Sequence, residues 1–230
     1  KLEEKVPEKV YTSLEQAFCK AFALVFEKGT GIIEKSYDRD ALEKDYAVRD
    51  FAVQVKGDRR TLRRFPKENR GANAKNLLLS TVEGVGLGAL GIGLPDIVLF
   101  VGMLLKGIYE TALRYGFPYE DPAEQMWILR MMETSLTKGS LWTEKNQGVD
   151  AFLYQGLMEE PTKEALSQQI QATAQTFAMD MLVLKFIQGL PLVGALGGAA
   201  NPVYYRRVLN YVQLKYHKRY LYQKRREMAP

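Results

Sequence analysis

The stretch from Glu83 to Lys106, EGVGLGALGIGLPDIVLFVGMLLK, limits what this chain can fold into more than any other. Between its charged ends stand 22 residues that are apolar or glycine, except for Pro95 and Asp96. A run of that length can cross a bilayer as one helix. Pro95 argues against this, because it lacks an N–H and holds Leu94 out of the α region. The run then divides into pieces of about ten residues, each too short to span about 30 Å. Five of the ten residues from Gly84 to Gly93 are glycine, and a glycine inside a helix costs about 1 kcal/mol relative to alanine. That density needs close packing, a hinge or insertion to explain it. Gly-Leu-Pro recurs at Gly189–Pro191, ahead of a second Gly-rich apolar patch from Val193 to Ala200. The pair predicts Gly-rich helical hairpins at the centre of a soluble bundle, with membrane insertion as a second state.

Elsewhere the apolar period is helical. Leu14, Phe18, Ala21, Phe22, Val25 and Phe26 mark one face of a helix from Val10 to Lys28, with Thr12 or Ser13 as its cap. Asp40 to Lys56 is a second helix, whose apolar set (Leu42, Tyr46, Phe51, Val53, Val55) is less regular. Another begins at Pro95 and is ended by Gly116-Phe-Pro118. Asp121 before Pro122 predicts an N-cap with proline in the first turn, and Glu124 stands where a capping-box acid would. Lys138 to Val149 reads as a polar loop and Ala151 to Glu160 as a short amphipathic piece. Thr162 caps a helix from Lys163 to Gln188, and Asn201-Pro202 opens the last one. Strand alternation is missing throughout. The expectation is one all-α domain over residues 1–230, with N-terminal helices and a basic connector (1–71) ahead of a core (72–230).

At 230 residues, 47 % hydrophobic and 26 % charged, the chain is not a disordered one. Cys19 and His217 are its single cysteine and histidine, which excludes an intrachain disulfide, histidine-based zinc sites and the HExxH arrangement. Cys19 reads as a buried free thiol. The glycines of the opening stretch are not followed by Lys-Ser or Lys-Thr, so a phosphate loop is missing too. No cofactor or metal is expected. The opening KLEEKVPEKV is charged and has no apolar signal-peptide region, which suggests a cytoplasmic protein.

Three carboxylates stand in or beside apolar surroundings: Glu83, Asp96 and Glu110. They are the candidates for catalysis by a hydrolase holding Mg²⁺ or Ca²⁺ through oxygen ligands. On one helix Asp96 and Glu110 would lie about 21 Å apart, so each would need a partner from elsewhere. Asp96 also suits a first-turn acid at a helix N-terminus, or a buried ion pair.

The net charge of +5 is unevenly spread. Lys56 to Lys75 carries eight basic residues against two acidic ones, and Arg206 to Arg226 carries eight with no acid. In the second run, tyrosines interleave with the cations. Arg206, Arg207, Lys215, Lys218, Arg219, Tyr216 and Tyr220 would suit an interfacial helix on anionic headgroups. Base stacking on nucleic acid would use similar chemistry, but no nucleic-acid motif accompanies it. A surface helix with its tyrosines packed inward is the other reading.

Three pieces, TVEGVGLGALGIGLPDI, ETALRYGFPYEDPAEQ and GLPLVGALGGAANPVYYRRVLNYVQLKYHKRYL, together resemble the EcsC family from about Leu77 to Leu221. The resemblance implies a bacterial helical protein of a family named for a reading frame beside the ATPase and membrane subunits of an ABC transporter. It implies no catalytic set. The positions matching the family's motif are Glu83, Gly84, Asp96, Tyr115, Gly116, Gly194, Asn201 and Arg219. Pro202, directly after Asn201, departs from it. Three functions follow as expectations. The first is a non-enzymatic accessory, peripheral at the inner face of the membrane, that binds anionic lipid or a membrane-complex partner such as transporter components. The others are the carboxylate hydrolase and an adaptor binding proteins through exposed apolar helix faces.

Overall fold

The computed structural model describes residues 7–26, 30–58, 61–62, 95–155, 160–188 and 200–227. Among these the regular elements are all helical: α1 (Glu8–Leu24), α2 (Thr30–Glu34), α3 (Arg39–Lys56), α4 (Pro95–Arg114), α5 (Pro122–Leu136), α6 (Gly139–Gln155), α7 (Lys163–Gln188) and α8 (Ala200–Glu227). The all-α bundle is the one expected. The Gly-rich stretches Glu83–Leu94 and Gly189–Gly198 lie outside the described residues, and with them the expected central hairpins. No helix among the described residues is long and apolar enough to cross a membrane.

Local chemistry sets most boundaries. Asp38 accepts from the Ala41 amide at 2.9 Å to cap α3, and Gly57 closes that helix at φ 48°. Asp121 caps α5 through the Ala123 amide at 2.8 Å, with Pro122 following. The Thr162 hydroxyl accepts from the Ala165 amide at 3.1 Å ahead of α7. α4 ends as expected: Gly116 takes φ +79°, and the amides of Gly116 and Phe117 reach back to Leu113 and Ala112. That is a Schellman closure, which favours glycine at the left-handed position.

Three expectations need correction. α1 begins at Glu8 behind Pro7 with no side-chain cap, and Thr12 donates inside the helix to the Glu8 carbonyl. Residues 139–155, read as a polar loop and a separate short piece, are one helix. Its period is hidden because two positions on its packed side, Asn146 and Asp150, are polar partners of α8. Glu124 does not complete a capping box. It is buried, and it accepts from α8 instead.

The packing closes a ring, α1–α7–α5–α8–α4 and back to α1, with α6 against α5 and α8, and α2 and α3 against α4. Phe18, Phe22, Phe100, Phe177 and Tyr204 meet inside it, with neighbouring ring centroids 5.6 to 6.5 Å apart. α5 is buried on nearly every side, as a helix at the core of a bundle must be. Its Trp127 donates from Nε1 to the Val149 carbonyl at 3.1 Å and so ties α6 down.

Candidate functional site

The basic run of α8 is sorted between two destinations. Its tyrosines Tyr204, Tyr205, Tyr216 and Tyr220 are buried. Five of its cations reach carboxylates on other helices, Lys218 near the surface among them. Arg207 reaches Asp180 of α7 at 3.2 Å, and Lys215 reaches Asp150 of α6 at 2.6 Å. Arg219 reaches Glu124 of α5 at 2.7 Å, and Lys224 reaches Asp50 of α3 at 2.8 Å. A buried charge is tolerated when it is paired and hydrogen-bonded, and each pair here has further partners. Glu124 accepts from the Tyr216 hydroxyl at 2.7 Å and Asp50 from the Tyr220 hydroxyl at 2.8 Å. Burial pushes the Glu124 carboxyl up, and Arg219 and Tyr216 work in the opposite direction.

The outward half is different. Asp150 is shared, taking Lys218 at 3.0 Å as well as Lys215. Burial works to raise the Asp150 pKa, but its hydrogen bonds to the two lysines outweigh that and hold it low. Burial lowers Lys215 even with Asp150 beside it, whereas for Lys218 the contacts with Tyr154 and Asp150 outweigh burial and raise it. Lys218 lies 5.2 Å from the centre of the Tyr154 ring, and Tyr154 packs edge-on to Tyr222 at 5.1 Å. Arg226 lies 6.0 Å from the Tyr222 ring. Arg206, Arg225 and Arg226 are exposed. The result is a surface of two tyrosines and several cations, continuous along the last turns of α8. Cations over tyrosine rings keep their charge and share an apolar platform with them.

The expected site residues fall into three groups. Of the carboxylate triplet, Glu110 is buried on α4, 3.4 Å from Arg114. Asp96 stands in the first turn of α4, where a carboxylate stabilises a helix N-terminus. Its side chain, like the whole of Glu83, lies outside the described residues. Of the basic–aromatic set, Lys215, Arg219, Tyr216 and Tyr220 turn inward, Arg207 is bridged to Asp180, and Arg206 and Lys218 reach the surface. Of the motif positions, Tyr115 is buried, its ring 6.2 Å from Tyr220 and 5.8 Å from His217, and Gly116 closes α4. Asn201 lies in the first turn of α8. Gly84 and Gly194 are outside the described residues.

Sequence reading missed the carboxylates that sort the cations: Asp50, Glu124, Asp150 and Asp180. Each lies at helical spacing from apolar neighbours, which was the available signal. A cleft of about 90 Å³ lies between α7 and α8, lined by Lys138, Asp180, Val203, Tyr204 and Arg207 among others. That is well under the few hundred Å³ of an ordinary small-molecule pocket. Among the described residues no three His, Cys, Asp or Glu side chains are grouped to hold a metal ion.

The profile of the EcsC protein family matches residues 1–221. The chain belongs to the EcsC family. The match takes in the N-terminal helices as well as the motif-bearing stretches, so α1–α3 are part of what the family shares. This EcsC-family chain is similar to protein EcsC of Bacillus subtilis (strain 168), with 24 % identity over 204 residues, covering 87 % of this chain and 75 % of that protein. No solved structure matches it.

Proposed function

We propose that this EcsC-family protein is a non-enzymatic, reversible, peripheral accessory of an anionic membrane surface. In this reading the outward side of the last turns of α8, with Tyr154 of α6, is its headgroup contact, and the cytoplasmic leaflet is the surface it meets. The observation that supports this best is the sorting of α8's cations. Arg207, Lys215, Arg219 and Lys224 are held by carboxylates within the fold, while Lys218, which shares Asp150 but keeps 40 % of its side chain exposed, and Arg226 stand beside the Tyr154 and Tyr222 rings, and Arg225 is exposed. Tyrosine beside Lys and Arg is the composition that favours the headgroup region. Each cation near an anionic leaflet contributes about 1 kcal/mol. The adsorption is therefore weak, salt-sensitive and reversible, as an accessory would need. A lipid surface is favoured over a protein subunit of a membrane complex because the cations are spread along a helix and do not converge on a pocket.

Flotation with vesicles tests this. Recovery with phosphatidylcholine vesicles containing phosphatidylglycerol, lost at high salt and missing with phosphatidylcholine alone, is the expected result. Equal recovery with both vesicle types, or none with either, would overturn it.

A further inference from the structure

Helices α6 and α8 run side by side in the same direction. Arg207 donates to the Leu136 carbonyl just ahead of α6, and the Tyr211 hydroxyl donates to Asn146. Further on, Lys215 and Lys218 reach Asp150, and Tyr222 packs on Tyr154. Trp142 stands between the first two of these ties, one turn ahead of Asn146, and so on the side of α6 that meets α8. On α8, Leu214 lies one turn from Tyr211 and one from Lys218, which puts it on the same line. Trp142, Tyr154 and Leu214 are 39 %, 48 % and 61 % exposed, and Leu141 beside Trp142 is exposed as well.

The seam is cationic along its length. Two carboxylates bear on it, and each is shared by two cations: Asp180 takes Lys138 and Arg207, and Asp150 takes Lys215 and Lys218. Each group keeps a positive charge in excess. α8 carries no acid before Glu227, and Arg206, Arg225 and Arg226 are exposed. Glu144, the exposed acid of α6, is two residues from Trp142 and so on another side of that helix. Trp142 and Tyr154 are about 18 Å apart along α6. Charge of one sign spread over that length, with an aromatic side chain at each end, is complementary to a planar anionic surface. Exposed Leu141 and Leu214 add nothing to a nucleic-acid contact, which uses stacking rings and phosphate-binding cations. A second copy of the chain would set one cationic strip against another, which like-charge repulsion opposes.

We infer that the α6–α8 seam lies flat on an anionic bilayer over its whole length, with Trp142 seated at the headgroup–acyl boundary. This rests on the peripheral reading above and extends the contact from the last turns of α8 to a strip that fixes the protein's orientation.

Trp142 supplies its own test. Trp127, the other tryptophan, is fully buried, so the difference between wild type and Trp142→Phe isolates the emission of Trp142. The full chain is titrated with phosphatidylcholine vesicles with and without about one-third phosphatidylglycerol, plain or with acyl chains brominated near the headgroup. Red-shifted Trp142 emission in buffer is expected, with a blue shift and bromine quenching on anionic vesicles only. In flotation, Trp142→Ala and Leu214→Ser should each partition about fivefold more weakly. Emission already blue-shifted in buffer and unmoved by vesicles would overturn the inference by showing Trp142 covered by this chain. A blue shift that grows with protein concentration would overturn it in favour of a second copy, and one given by single-stranded DNA but not by vesicles in favour of nucleic acid. If the wild-type chain floats with anionic vesicles while Trp142 is neither shifted nor quenched and both variants partition as wild type, the seam falls and the contact at the end of α8 stands. If the wild-type chain floats with neither vesicle, both fall.

Discussion

Arg219 Nη1 lies 2.7 and 2.9 Å from the two carboxylate oxygens of Glu124, and its guanidinium carbon lies 4.0 Å from the centre of the Phe117 ring. One cation therefore joins α8, α5 and the segment that follows α4. Glu124 is 1 % exposed, so it depends on this partner to stay charged. Arg219→Ala should destabilise the fold by about 3–5 kcal/mol, because it strands a buried carboxylate. The paired change Glu124→Leu with Arg219→Met should recover most of that loss. Denaturant midpoints of the wild type and the two variants read the difference.

Gly116 and Gly148 make a matched pair of opposite sign. A Cβ at Gly116 would overlap the Tyr46 ring, and the residue sits at φ +79°. Gly116→Ala should cost about 2–4 kcal/mol from backbone strain and overpacking together. Gly148 lies inside α6 with nothing within 4 Å of an added Cβ, so Gly148→Ala should stabilise by about 0.5–1 kcal/mol. Thermal unfolding of both variants checks the signs.

His217 sets a slope of stability with pH. Burial lowers its pKa from the ordinary 6.5, and its Nδ1 is buried without a hydrogen-bond partner among the described residues. On acidification the unfolded chain takes up the proton first, so stability should fall as pH drops through about 6.5. Glu124, raised by burial, works the other way: it regains a proton more readily in the fold and adds stability as pH falls. The His217 contribution is thus read as the difference between wild type and His217→Asn across pH 7.5 to 5. The variant should lose the downward component.

Asp150 restrains the surface charge of α8. Asp150→Asn should destabilise the bundle, since Lys215 is largely buried and loses its charged partner. It should nevertheless strengthen partition onto anionic vesicles about fivefold, because one more positive charge is left near the surface. Destabilisation with tighter binding separates a headgroup contact from simple loss of fold, and a denaturation curve with flotation on the same sample reads both.

The helix framework was legible where single residues punctuate it: Asp121-Pro122, Thr162, Pro95 and Gly116 all mark boundaries that the structure has. It was illegible where polar side chains occupy packed positions. Asn146 and Asp150 disguised α6 as a loop because they serve Lys215. Val48, Phe51 and Val55, exposed on the side of α3 opposite the buried Leu42 and Val53, blurred its period in the opposite way. For the candidate surface, the basic–tyrosine run was visible, but which cations face solvent was not. That choice depends on carboxylates far away in the chain, such as Asp50, 174 residues from Lys224, and one-dimensional spacing carries no sign of which carboxylate meets which cation.

The charge reversal Arg225→Glu with Arg226→Glu bears most directly on the central claim. It alters exposed residues at the end of α8 and leaves the Lys224–Asp50 tie in place. Partition onto vesicles of increasing phosphatidylglycerol content at low salt, where screening is weak, is the measurement. The peripheral-lipid account predicts that wild-type binding rises steeply with anionic content while the reversed variant stays near the neutral-vesicle level. Equal partition of the two proteins at every composition, with both folded, would contradict it.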